Sequence, residues 1–346
     1  MNLLLRGKLT AFLVVIGLAA CIGLDQLVAF KSYYLDNLSG TFSPQALEIL
    51  SKVIDPYYLQ ILIYVGINII LASSLNVVNG YMGEFSVGHA AFMAVGAYAG
   101  SLVTVGLFKG VGGTFAFPIA LLAGGIAAGF FGLLVAIPSF KTRGDYLAIV
   151  TLALNMIVKS VIENIPGLGG PQGYSGMARS TNLAWTFFCV VATIWCIRNL
   201  IYSRYGRSII AVREDEIAAE LVGVNTRNAK ILAFVISSFF AGIAGVLFAH
   251  LIQFINPRTF SVLKSTDVLV MLYLGGAGTM GGPVLGAIVY TIALELLRFL
   301  GIWRFVVTPL LLILLMILRP TGIVGGHEIG PLIPTREKEP CFPTND

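Results

Sequence analysis

Six stretches of this chain carry no Asp, Glu, Lys or Arg: Pro56–Gly83, Phe85–Phe108, Gly110–Phe140, Ser180–Ile197, Ile231–Pro257 and Val268–Leu294. A water-soluble fold rarely offers even one such gap, because its surface needs charged side chains along most of its length. A helix that crosses a bilayer needs about 20 mostly apolar residues, which is the length scale of these gaps. Composition agrees: of 346 residues only 11% are charged and 57% are hydrophobic. An average soluble domain carries about 25% charged residues. A soluble enzyme, a disordered chain and a nucleic-acid-binding domain are excluded on these grounds. The formal net charge of +5 comes from basic residues scattered among apolar runs. They read as markers of topology, not as a nucleic-acid footprint.

About ten spans follow from the pattern: Leu9–Phe30, Tyr58–Val78, Phe85–Phe108, Phe115–Ile137, Tyr146–Ile165, Leu183–Tyr202, Ile231–Ile255, Asp267–Met280, Pro283–Leu300 and Ile302–Leu318. Asp267–Met280 is short enough to re-enter the membrane without crossing it. Barrel strands alternate polar and apolar residues, and these runs do not. The expected fold is all-α: a polytopic integral membrane helical bundle of about 9–10 transmembrane segments, with re-entrant or broken helices. The chain divides into a first transmembrane helix (1–30), an external loop (31–56), a core (57–322) with a polar connection at 203–228, and a polar tail (323–346).

Placement of Lys and Arg orients the bundle. With Arg6 and Lys8 in the cytoplasm, Lys141, Arg143, the cluster from Arg204 to Lys230, and Arg319 fall on the same side. Both termini are then cytoplasmic. Leu18-Ala19-Ala20-Cys21 resembles a lipoprotein cleavage box. The apolar run continues through Leu24, which suits a retained helix. The four cysteines form no C-x-x-C pair, so no disulfide framework or zinc site follows.

The 203–228 connection holds the most local information. Glu214, Asp215 and Glu216 suit the first turn of a helix, where negative charge meets the positive end of the dipole. Ala218, Ala219, Glu220 and Leu221 favour helix. Gly223 suits the residue after the cap, with Val224 supplying a Schellman contact. Arg213–Val222 therefore reads as one short helix outside the membrane, with Ile217, Leu221 and Val222 on one face. Such a face fits a groove on a partner protein; the plainer alternative is a solvated connector.

Two glycine-rich breaks interrupt the apolar runs. In Gly80–His89, Gly80, Gly83 and Gly88 permit bends, and Glu84, Ser86 and His89 bring polarity to a membrane boundary. In the second, Gly275, Gly276 and Gly278 lie between apolar segments. Broken helices line substrate paths in transporters, so both breaks are candidate pathway elements; a tight interhelical turn is the alternative. Gly276–Gly281 matches G-x-G-x-x-G, but a dinucleotide fold needs a β-α-β unit around it, and this match lies inside an uncharged membrane run whose next acid is Glu295. Gly96/Gly100 and Gly125/Gly129 make small-x-x-x-small faces suited to close helix packing. No G-x-x-x-x-G-K-[ST], H-E-x-x-H or G-x-S-x-G occurs, and no catalytic constellation is visible.

Arg213-Glu-Asp-Glu-Ile-Ala-Ala-Glu-Leu-Val-Gly-Val-Asn225 resembles the coupling segment of permease subunits of branched-chain amino acid ABC importers, the LivM type. It keeps the Ala-Ala-x-x-x-Gly spacing of the wider importer loop, and departs at Ile217, where that loop has an acid. Gly80–Phe92, Arg143–Ala153, Gly169–Gly176, Leu274–Gly286 and Leu318–Gly322 are similar to further signatures of the family. The resemblance implies a non-enzymatic transport subunit of a bacterial inner (plasma) membrane. It implies a second permease subunit, two cytoplasmic ATPase subunits and a periplasmic substrate-binding protein as partners. ATP and Mg would be held by the ATPases, with no cofactor on this chain. Arg213, Glu214, Asp215, Glu216, Ala218, Ala219, Glu220 and Gly223 would then couple to the ATPase. Branched-chain or other neutral amino acids are the implied cargo. Urea or short amides come next, and an ion-coupled secondary transporter is the alternative mechanism.

Overall fold

The computed structural model describes residues 15–26, 56–107, 113–139 and 146–303, with short stretches between 306 and 324. Helix α1 is Val15–Gln26. Helix α2, Pro56–Asn76, continues as a π-helical turn, Val77–Met82. Helix α3, His89–Leu102, ends in a second π-helical turn, Val103–Leu107. Then follow α4 (Gly113–Ser139), α5 (Tyr146–Asn164), α6 (Leu183–Tyr202), α7 (Arg204–Glu214), α8 (Glu216–Leu221), α9 (Thr226–Ile252), α10 (Val262–Gly275) and α11 (Gly281–Leu296). One two-residue antiparallel pair, β1 (Tyr174–Ser175) with β2 (Phe254–Ile255), ties the connections at one end.

Among the described residues, seven helices are long and apolar enough to cross a membrane, so the protein is a multi-pass helical membrane protein. The first expected span is described only over α1. Most of Ile302–Leu318, the 31–55 loop and the tail beyond 324 lie outside the described residues. Three expected boundaries are corrected. The span placed at Tyr58–Val78 runs on to Met82. The span placed at Phe85 starts only at His89, because Gly83 turns left-handed and Glu84–Gly88 is not helical. The segment placed at Asp267–Met280 is helical from Val262 to Gly275, and Gly276–Met280 is a turn. At 1.5 Å per residue α10 is about 21 Å long, too short to cross alone.

Helix α9 forms the centre, packed along α3 and α4 and touching α2. Glycines set this closeness. A Cβ on Gly96 of α3 would stand 2.3 Å from the Gly242 Cα of α9. One on Gly124 of α4 would stand 2.7 Å from the Gly96 carbonyl oxygen. The small-residue faces thus serve packing within the bundle: Gly125 lies against the Phe239 ring. Helix α2 also packs on α6 and α11, and α11 on α10. The outer faces of α5 (Ile149, Met156, Ile157, Val161) and α6 (Phe188, Trp195) are exposed and apolar, as lipid contact requires. Lys159 and Glu163 on α5 pair at 3.9 Å.

Asp25 of α1 does work at a distance. The N-cap residue of α6, Asn182, gives no side-chain cap. The Asp25 carboxylate instead accepts from Leu183 N at 3.3 Å and Ala184 N at 3.0 Å. A carboxylate there satisfies free N–H groups and complements the helix dipole. Asp25→Ala should lower stability by about 1 kcal/mol, read as an earlier thermal transition of the detergent-solubilised protein.

Candidate functional site

The polar connection is two helices, not one. Ser203 caps α7, its hydroxyl oxygen accepting from Gly206 N at 3.2 Å. Asp215 then interrupts the helical run with extended backbone and caps α8, accepting from Ile217 N at 2.8 Å and Ala218 N at 3.0 Å. The expected single helix Arg213–Val222 is corrected accordingly. Arg213 and Glu214 end α7, and only Glu216 stands in the first turn of α8. The physical reason is that an aspartate side chain competes for backbone N–H groups and so starts helices more readily than it continues them. The expected stop holds. Gly223, at φ +87°, donates to Glu220 O at 3.0 Å, and Val224 N donates to Ala219 O at 3.0 Å. This is the Schellman pattern. Glu220 accepts from the Thr226 hydroxyl at 2.8 Å, which fixes the approach to α9.

Both glycine-rich breaks meet beneath α7 and α8. Asn76, at the end of α2, accepts from Gly278 N at 2.8 Å and donates to Thr279 O at 2.8 Å. One buried amide thus satisfies a donor and an acceptor of the Gly276–Met280 turn, which buried backbone requires. A Cβ on Gly80 would lie 2.5 Å from Gly278 N, so the two backbones touch there. The Arg213 guanidinium donates to Gly80 O at 3.0 Å. Its stem lies against Gly83, where a Cβ would come 2.9 Å from Cγ. Ile323 N and Val324 N donate to Leu274 O and Gly275 O, so residues 322–324 brace the same turn. Lys230 of α9 completes the junction, 2.7 Å from Glu84 Oε1 and 2.9 Å from Glu216 Oε2.

From Gly83 the chain doubles back into the bundle. His89 Nε2 lies 2.8 Å from the Ser74 hydroxyl, and Ser74 is two turns up α2 from Met82. Asn79 accepts from Ser86 N at 3.2 Å, Thr151 from Val87 N at 3.1 Å, and Ser265 from Ala90 N at 3.0 Å. Asn155 donates to the same Ser265 hydroxyl at 3.0 Å. Side chains of α2, α5 and α10 therefore replace the helical ladder for this interior segment. Non-helical backbone at membrane depth is tolerated only where protein buries it so. Asn76→Leu removes both bonds to the turn. It should cost about 2 kcal/mol for the two stranded backbone groups, read by thermal unfolding and by faster proteolysis at 276–280.

The structure thus brings Arg213 and Glu216 together with Gly80, Gly83, Glu84 and Gly278. Gly275 and Gly276 lie buried beside them, and Ser86, Gly88 and His89 lie deeper. Glu214, Asp215, Ala218 and Glu220 are exposed, and Ala219 is buried. Asn76, Thr151, Asn155 and Ser265 carry no functional signal in the sequence, and Lys230 reads there as one of the basic residues that orient the bundle. Its position carries one further signal: a cation in the second turn of a helix opposes the dipole and so calls for a local acid.

Comparison with known proteins follows the same residues. Residues 57–319 match the family model described as branched-chain amino acid transport system, permease component. The branched-chain amino acid permease protein LivM of Escherichia coli K12 is 34% identical, covering 75% of this chain and 68% of that protein. LivH of Escherichia coli K12 is 26% identical, covering 75% and 92%. The autoinducer 2 import permease protein LsrC of Yersinia pseudotuberculosis is 29% identical, covering 64% and 67%. No solved structure matches.

Proposed function

Since this chain belongs to the family of permease components of branched-chain amino acid transport systems, we propose that it is the membrane-spanning subunit of a binding-protein-dependent ABC importer. The cargo is a branched-chain or other neutral amino acid. The chain pairs with a second permease, and two separate ATPase chains supply the energy of ATP hydrolysis. A periplasmic binding protein delivers the cargo. The protein sits in the bacterial inner membrane with α7 and α8 in the cytoplasm.

One observation carries this reading. Helix α8 stands outside the bundle with Ile217 66%, Leu221 84% and Val222 84% exposed. Its other side, through Glu216, is fastened to the junction of both glycine-rich breaks. Exposed apolar side chains on a helix capped at both ends suit the groove of a partner. A partner that moves this helix moves the breaks with it. The chain itself transports and carries out no bond chemistry. The test is co-expression with the ATPase encoded nearest to its gene, followed by purification through a tag on the permease. The ATPase should co-purify, and its hydrolysis should rise when binding protein and leucine are added. A permease that emerges alone under gentle detergents would overturn the proposal.

A further inference from the structure

Lys230 is in the second turn of α9, at the end where the helix dipole disfavours a cation. A lysine at a membrane boundary ordinarily stretches its stem toward water. This side chain is only 8% exposed and spends its ammonium on two carboxylates that belong to different elements. Glu216 opens α8. Glu84 opens the segment that runs inward to α3. Among the described residues helix α8 packs chiefly on α7 and α9, and Lys230 links it to the inward-going segment. The two carboxylates repel each other without the cation between them.

We propose that Lys230 is the positioning residue that carries a displacement of α8 to the Glu84–Gly88 segment, and so to the buried start of α3. This rests on the docking role proposed above for α8. A shift of Glu216 draws the ammonium, and Glu84 follows it. The segment beyond Glu84 has no helical ladder and is held by side chains of Asn79 and Thr151. Its displacement therefore arrives at His89 and Ala90, where Ser74 and Ser265 hold the start of α3. Arg213 ties α7 to Gly80 O, which holds the junction together from the neighbouring helix.

The experiment uses the complex with its ATPases and binding protein in liposomes, with radiolabelled leucine as probe. Two quantities are read: leucine moved per ATP hydrolysed, and the change in hydrogen exchange over residues 84–90 when ATP is added. Lys230→Met should cut leucine per ATP by about tenfold and abolish the exchange response, with the ATPases still bound. Lys230→Arg, which can hold two carboxylates, should restore most of both. A purely structural lysine would lower the yield of complex and leave both quantities unchanged. If Lys230→Met does not assemble, Glu84→Gln keeps the Lys230–Glu216 pair and should lower both quantities in the same direction. Wild-type values in either assembled variant would overturn the proposal. A wild-type complex that never forms would overturn the docking role itself. A wild-type complex that forms but does not take up leucine would count against the cargo, and the exchange response would still decide the role of Lys230.

Discussion

Leu221→Glu combined with Val222→Glu should strip the ATPase from the purified permease while leaving the permease itself folded. Both side chains are 84% exposed, so the isolated chain loses no packing. The stop of α8 is made by backbone bonds from Gly223 and Val224, which these substitutions leave in place. In the proposed importer these two side chains, with Ile217, would be the apolar contribution of this helix. Burying each contributes about 1.5–3 kcal/mol, and a carboxylate forced into the groove adds a desolvation cost. Affinity should fall by about a thousandfold or more. Binding of the ATPase to immobilised permease measures this. Unchanged binding would mean that α8 is a solvated connector.

Gly96→Val should prevent the bundle from assembling. Gly96 lies where α3, α4 and α9 converge with their backbones in contact. A Cβ there meets the Gly242 Cα at 2.3 Å and the Gly242 oxygen at 2.4 Å. These are backbone atoms of the central helix and cannot move aside as a flexible side chain can. Overpacking a site of this kind costs about 3 kcal/mol, and in lipid no hydrophobic drive holds the helices together against it. Little monodisperse protein should be recovered on size-exclusion chromatography in detergent. Gly23→Val is the control, since a Cβ on Gly23 meets nothing within 4 Å. Equal recovery of the two variants would refute the packing account.

Much of this architecture is legible in the chain because the physics behind it is local. Charge-free length maps onto spans, since each membrane helix must satisfy its own backbone within one segment. The Gly223–Val224 stop was readable for the same reason: a left-handed residue after a run of helix formers has few other uses. Asp215 sits inside an acidic triplet that hides its role. Three acids in a row suit a first turn equally well, and only backbone geometry shows that the middle one is the cap. The junction was beyond reach for a different reason. Lys230 and Glu84, or Asn76 and Gly278, lie far apart in sequence and meet only once α2, α9 and the turn after α10 have packed. Each glycine-rich break is visible in the sequence by itself, but nothing in either announces that it touches the other.

The claim that energy enters this chain from docked ATPases is tested most directly by leucine uptake in liposomes holding permeases, ATPases and external binding protein. Enclosed ATP should drive accumulation of labelled leucine against its gradient. A non-hydrolysable ATP analogue should give none, and neither should an imposed proton or sodium gradient. Accumulation driven by an ion gradient with no ATP present would contradict the account and make the chain a secondary transporter.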